Sequence, residues 1–178
     1  MANSSRFGLV VLSSLAASLV LALSQNANAA TLSVGPGKTY ATLNEVVSVV
    51  KPGDVVNVYG DATYPGDIWF KTDATAAAPI TIRGIPVNGK KPVLSGGSQW
   101  TILFNGDHYN FEGFEVTGGP EFCIINKADS TLISNTVVHD CPKHGILGTD
   151  AESGSLTIEY SEIYRCGNGT NKHQLYIA

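Results

Sequence analysis

Charge is scarce in this chain. Lysine, arginine, aspartate and glutamate make up 15% of its 178 residues, against roughly a quarter in an ordinary soluble domain. The few basic residues form no stripe, which excludes the electrostatic footprint of a nucleic-acid partner or an anionic membrane surface. Helical periodicity is nearly absent too, so the architecture has to be built from strands. Cysteine is limited to Cys123, Cys141 and Cys166, too few for a disulfide framework to replace a core. A regular Thr-x-Thr ladder is missing, and with it the flat array an ice-binding solenoid would need. Glycine, threonine, serine, asparagine and β-branched residues take the place of the missing charge. That mix suits many short strands and tight turns.

At the amino end, Arg6 is the only charge before the almost unbroken apolar run Phe7 to Leu23, and Ala27-Asn28-Ala29 has small-x-small form. The segment 1–29 reads as a signal peptide, and residues 30–178 as the mature domain, secreted or periplasmic with no stable membrane anchor after cleavage. A retained membrane anchor is the alternative reading of the same run. Beyond Ala29 there are ten basic and fifteen acidic residues, a balance of −5 with histidine neutral.

The last third repeats itself. Ile133 to Cys141 returns without a gap as Ile158 to Cys166, and its skeleton is present earlier as Phe111 to Gly119. A period of about 20 to 30 residues built from β-formers marks a solenoid, in which one copy cannot bury its own apolar face. A second column aligns Thr101-Ile-Leu103, Phe122-Cys-Ile124, His144-Gly-Ile146 and His173-Gln-Leu175, so each coil has at least two strands. About five or six coils are expected at this spacing. Thr31 to Val34 reads as a lead-in strand. Leu43, Val46, Val47 and Val50 form one apolar stripe, with Thr42 and Glu45 spaced as a capping box. That short helix would cap the first coil. The sequence ends at Leu175 to Ala178 inside a strand pattern without a cap, so the chain reads as the front portion of a longer protein.

Cys141 and Cys166 hold the same place in consecutive repeats. Stacking would bring them to about 4.8 Å, near the Cα separation a disulfide accepts, so the residues leave two readings open, a Cys141–Cys166 bond or free stacked thiols. Cys123 reads as a small inward-facing residue. Trp69 and Trp100 have apolar neighbours and read as core or lid residues, with sugar-stacking platforms as the alternative.

The runs Pro52-Gly-Asp-Val-Val-Asn-Val-Tyr-Gly60 and Pro79-Ile-Thr-Ile-Arg-Gly84, followed by the Asn135-Thr-Val-Val-His-Asp-Cys141 type of coil, resemble the right-handed parallel β-helix proteins of the pectate-lyase-like superfamily. The resemblance covers residues 31–178 and implies an all-β, right-handed parallel β-helix with a short N-terminal capping helix. It also implies an acidic polysaccharide as partner and polyuronate lyase-like chemistry. That superfamily also includes hydrolases, epimerases and non-catalytic surface proteins, and no catalytic residue is carried over because no Lys/Arg pair stands at the spacing of the related lyases.

Lyase chemistry needs a base for the proton α to a carboxylate, and a cation to neutralise that carboxylate. The dense group of suitable residues runs from His139 to His144 and continues through Arg165, Lys172 and His173. His144 and His173 are the candidate bases. Lys143, Arg165 and Lys172 are candidate substrate-binding cations, and Asp150 and Glu152 are candidate calcium ligands. The alternative is a cross-coil Asp140–Arg165 pair, a stacked histidine ladder and a solvated acidic loop, in a non-catalytic carbohydrate-binding or surface structural solenoid.

Overall fold

The computed structural model describes residues 29–148 and 154–177. The apolar segment 1–28, Asp150, Glu152 and Ala178 lie outside the described residues.

A lead-in strand β1 (Thr31–Val34) and one helical turn α1 (Leu43–Val46) precede five coils of three strands each. The first coil is β2 (Val55–Tyr59), β3 (Thr63–Pro65) and β4 (Ile68–Phe70); the second is β5 (Ile80–Ile85), β6 (Val93–Ser95) and β7 (Trp100–Phe104). The third is β8 (Tyr109–Glu112), β9 (Glu115–Thr117) and β10 (Phe122–Asn126); the fourth is β11 (Thr131–Ser134), β12 (Val137–His139) and β13 (His144–Gly148). The fifth is β14 (Leu156–Glu159), β15 (Glu162–Tyr164) and β16 (Leu175–Ile177). Corresponding strands stack in parallel into three sheets. Sheet A runs β1-β2-β5-β8-β11-β14, sheet B β3-β6-β9-β12-β15, and sheet C β4-β7-β10-β13-β16. The result is a right-handed parallel β-helix.

Alternation decides which side chains face inward. In β2 these are Val56 and Val58, in β5 Ile80 and Ile82, and all four are fully buried. Aromatic rings fill the middle of the tube. Phe70 and Phe104, register partners on β4 and β7, stack at 5.2 Å, and Phe111 meets Phe114 at 4.3 Å. Register follows the repeats, with Phe111 opposite Ile133, Ile133 opposite Ile158, and Val116 opposite Val138 opposite Ile163. In the second column Trp100, not Thr101, stands opposite Phe122. The expected alignment slips there by one residue, and a slip of one exchanges the faces of every side chain.

The corners explain the turn residues. Between sheets A and B the chain turns through the left-handed region at Gly113, Asn135 and Tyr160, with φ of 85°, 47° and 49°. The corner after sheet B does the same at Gly118, Asp140 and Arg165, with φ of 72°, 51° and 50°. At the corner leading back to sheet A, carboxylates stitch the coils together. Asp107 accepts the Asp129 N–H at 2.8 Å, and Asp129 accepts the Ser155 N–H at 2.8 Å. Those bonds from Ser155 hold the exposed Asp129 carboxyl below its ordinary value.

The amino-terminal cap is smaller than its apolar stripe implies. Leu43, Val46 and Val50 are buried, but only Leu43–Val46 is helical. Glu45 reaches back to the Ala41 N–H at 3.1 Å, while Thr42 supplies no side-chain cap. Neither backbone bond of the expected capping box is therefore present, because Glu45 accepts from the residue before the N-cap. Asn44 donates to the Gly66 carbonyl at 3.2 Å and ties the turn to the first coil. Among the described residues no helix is long and apolar enough to cross a membrane.

The disulfide joins Cys141 to Cys123, not to Cys166, with a Cα separation of 5.8 Å. This corrects two readings, because Cys123 is bonded and Cys166 is a buried free thiol. In-register side chains leave adjacent strands side by side, so their Cβ atoms keep roughly the 4.8 Å strand spacing, where a disulfide takes about 3.8 Å. Cys123 reaches Cys141 across the corner between sheets B and C. One coil later, Cys166 meets the same corner and faces Gly145. A Cβ built at Gly145 would lie 3.2 Å from its Sγ. The register pairs Phe122–His144 and Ile124–Ile146 put Gly145 opposite Cys123. Cys166 has no disulfide partner because glycine stands where a cysteine would be needed, and its thiol donates instead to the Tyr164 carbonyl at 3.3 Å. Burial pushes its thiol pKa up.

Candidate functional site

His144 begins β13, directly after the corner that carries the disulfide. Its ring stacks on Phe122 at 5.3 Å, one coil below, and lies 5.9 Å from the His173 ring, one coil above. His173 in turn stacks on Tyr176 at 5.1 Å. This column of rings follows from the repeat, since coils in register superpose equivalent residues. Partial burial, and next the neighbouring His173, lower the His144 pKa below its ordinary 6.5. His144 is therefore neutral at pH 7. Its Nδ1 accepts the His173 backbone N–H at 3.4 Å, which leaves the proton of the neutral ring on Nε2. His144 thus offers an N–H donor, while its lone pair is engaged and its ring lies between those of Phe122 and His173.

Cations border the column. Lys143 pairs with Glu121, and both are partly exposed. Lys172 and Lys143 both lie close enough to His144 to oppose its protonation. His144, His173, Lys143 and Lys172 therefore share one neighbourhood.

Arg165 belongs to a second network, on the outer face of sheet B. Its guanidinium donates twice to Asp140, at 2.6 Å each, and packs over the Tyr164 ring at 4.7 Å. Asp140 also meets His139 Nδ1 at 2.7 Å, and His139 Nε2 meets Glu115 at 2.9 Å. The Tyr164 ring stacks on His139 at 5.2 Å. The Arg165 bonds hold the Asp140 carboxyl well below its usual range, and Asp140 pushes the guanidinium correspondingly up. The expected cross-coil Asp140–Arg165 pair is present, and Arg165 is committed to it.

Two solved structures share this architecture. The crystal structure of alginate lyase from Paenibacillus sp. str. FPU-7 matches with a TM-score of 0.67 and 27% identity, over 78% of this chain and 46% of that one. The crystal structure of pectate lyase Pel9A matches with a TM-score of 0.63 and 19% identity, over 76% of this chain and 40% of that one. The chain is a pectate-lyase-like parallel β-helix. It spans less than half the length of either lyase. No protein-family model matches the sequence, and neither does any curated protein.

Several features of this β-helix escaped the sequence reading. Trp69, expected in the core or lid, is 46% exposed on the outer side of β4, with the Lys71 ammonium 5.5 Å from its ring. Its neighbours Ile68 and Phe70 take the inward positions, so alternation alone places Trp69 outside. The second-column alignment already set Phe122 beside His144, whereas Tyr176 joins the rings from three residues along the same coil as His173. Glu121 was missed as the partner of Lys143. Asp150 and Glu152 lie outside the described residues. Among the described residues no group of three or more histidines, cysteines or carboxylates could hold a metal ion.

Proposed function

We propose that this β-helix binds an acidic polysaccharide along the His144 column of sheet C. The observation that carries the reading is the stack of Phe122, His144, His173 and Tyr176 bordered by Lys143 and Lys172. The apolar surface of a ring column suits the C–H groups of pyranose units, and ammonium groups suit carboxylates repeated along a chain. The His144 Nε2–H adds a donor for a hydroxyl or ring oxygen. The match to two structures named as lyases of acidic polysaccharides supports the substrate class. An exported location is part of the proposal, supported by the disulfide, which persists in oxidising compartments.

Titration calorimetry against polygalacturonate and alginate, with a neutral glucan as control, tests the reading. Polyuronate should bind and the glucan should not. His144→Ala together with Lys172→Ala should weaken binding by about tenfold or more. Equal binding of the glucan, or no binding of either polyuronate, would sink the proposal.

A second reading, lyase activity, is favoured by the names of the two matched structures. His173 would then be the base, because the His144 lone pair is engaged. Growth of unsaturated-product absorbance on polyuronate, abolished by His173→Gln while that variant still binds polyuronate, would support it; no product from either polyuronate would rule it out. Repeating the assay with calcium and with a chelator tests the metal expectation.

A further inference from the structure

Away from the histidine column, an open groove of about 870 Å³ runs over the outer face of sheet B, from Asp61 and Thr63 past Lys90 to Glu115. An insertion builds one wall. In the third, fourth and fifth coils two residues separate the sheet A strand from the sheet B strand, but seven separate β5 from β6. Those residues form a hairpin, with Val87 and Lys90 bridged antiparallel and Asn88-Gly89 turning at φ of 50° and 77°. The side chain of Lys91 pins the hairpin by donating to the Asn135 carbonyl at 2.6 Å and to its Oδ1 at 3.1 Å. Insertions in one coil tend to project on the face a solenoid uses.

The charges in the groove are unequally committed. Glu115 is fixed at one end through His139, Asp140 and Arg165, a chain of hydrogen bonds spanning three coils. The His139 side chain is 12% exposed, whereas that of Glu115 is 40% exposed and lines the groove. Lys90 and Asp61 have no ion pair among the described residues and also line it. A positioned carboxylate, a second carboxylate and an unpaired ammonium around one open groove match a ligand with several hydroxyls and one anionic group.

We infer that this groove is a second saccharide subsite, separate from the sheet C column, which takes a uronate unit. Lys90 pairs with the uronate carboxylate, while Asp61 and Glu115 accept hydrogen bonds from its hydroxyls. The inference rests on the acidic-polysaccharide reading above and extends it to another face.

Amide chemical shifts of the labelled full chain, titrated with galacturonate and guluronate tetrasaccharides, separate the two faces. The groove should report at Gly60, Asn88 and Gly89, and the column at His173 and Leu175. Lys90→Ala should raise the dissociation constant read at the groove by about tenfold and leave that at the column unchanged. Glu115→Gln should weaken the groove severalfold, and His144→Ala should affect the column alone. Unchanged melting temperatures would establish that Lys90→Ala and Glu115→Gln fold normally. Shifts at the column but none at the groove would overturn the subsite and leave the polysaccharide reading intact. Groove shifts indifferent to Lys90→Ala would also overturn it, and the absence of shifts at both faces would refute both proposals.

Discussion

Removing the Cys123–Cys141 bond should destabilise the β-helix by about 3 kcal/mol. The bond closes a loop with a sequence separation of 18, and the loop-closure entropy lost from the unfolded chain at that length gives this figure. For a domain of this size each kcal/mol moves the melting temperature by about 2–4 °C, so Cys123→Ala should melt roughly 6–12 °C lower. Cys166→Ala, which removes only one small buried group, should cost about 1 kcal/mol or less. Thiol alkylation under denaturing, non-reducing conditions should count one free thiol in the native protein, none in Cys166→Ala and two in Cys123→Ala. Peptide mapping should recover the Cys123 peptide linked to the Cys141 peptide. The double variant Cys123→Ala/Cys166→Ala closes one escape, because Cys141 and Cys166 stack in adjacent coils and could pair once Cys123 is gone. A melting temperature close to that of Cys123→Ala would show that no such replacement bond forms. A Cys141–Cys166 peptide from the native protein would refute the corner argument. So would a Cys166→Ala variant as unstable as Cys123→Ala.

Three further outcomes follow from other parts of the tube. The His144 pKa is depressed in the folded state, so the unfolded chain takes up that proton first and stability should fall as pH drops below about 6.5. Urea midpoints measured from about pH 7 to about pH 5 should decline, and His144→Gln should flatten that slope; an unchanged slope counts against the burial argument. Tyr160 holds φ at 49° while 87% exposed, so Tyr160→Gly should relieve left-handed strain with little packing lost. It should raise stability by about 1 kcal/mol in thermal melts, and a loss would show that the ring contributes more than its exposure indicates. Phe104 is fully buried between Phe70, Tyr109 and Phe111, so Phe104→Ala should cost about 3–5 kcal/mol in urea denaturation. A cost under about 1 kcal/mol would mean that the aromatic stack is not the core.

What the sequence determined by itself is the stacking between coils. Alternation selected the inward residues, and the spacing of Phe111, Ile133 and Ile158 set which strands lie one above another. Hence the solenoid, the Ile133 column, the His144–His173 neighbourhood and the Asp140–Arg165 pair were all legible. Helix length was less so, because an apolar stripe from Leu43 to Val50 is compatible with one turn followed by bends. Tertiary structure decided everything that depends on contact across a corner or over a face. A repeat matches each residue with its copy in the next coil, but says nothing about which residues from different strands of the tube meet. The bond from Cys123 to Cys141 and the hairpin-walled groove are contacts of that second kind, whereas the Lys143–Glu121 pair and the His173 N–H bond to His144 Nδ1 join equivalent positions of adjacent coils. In-register neighbours point the same way and form ladders of rings and ion pairs, whereas the disulfide and the groove need side chains that converge from non-equivalent positions.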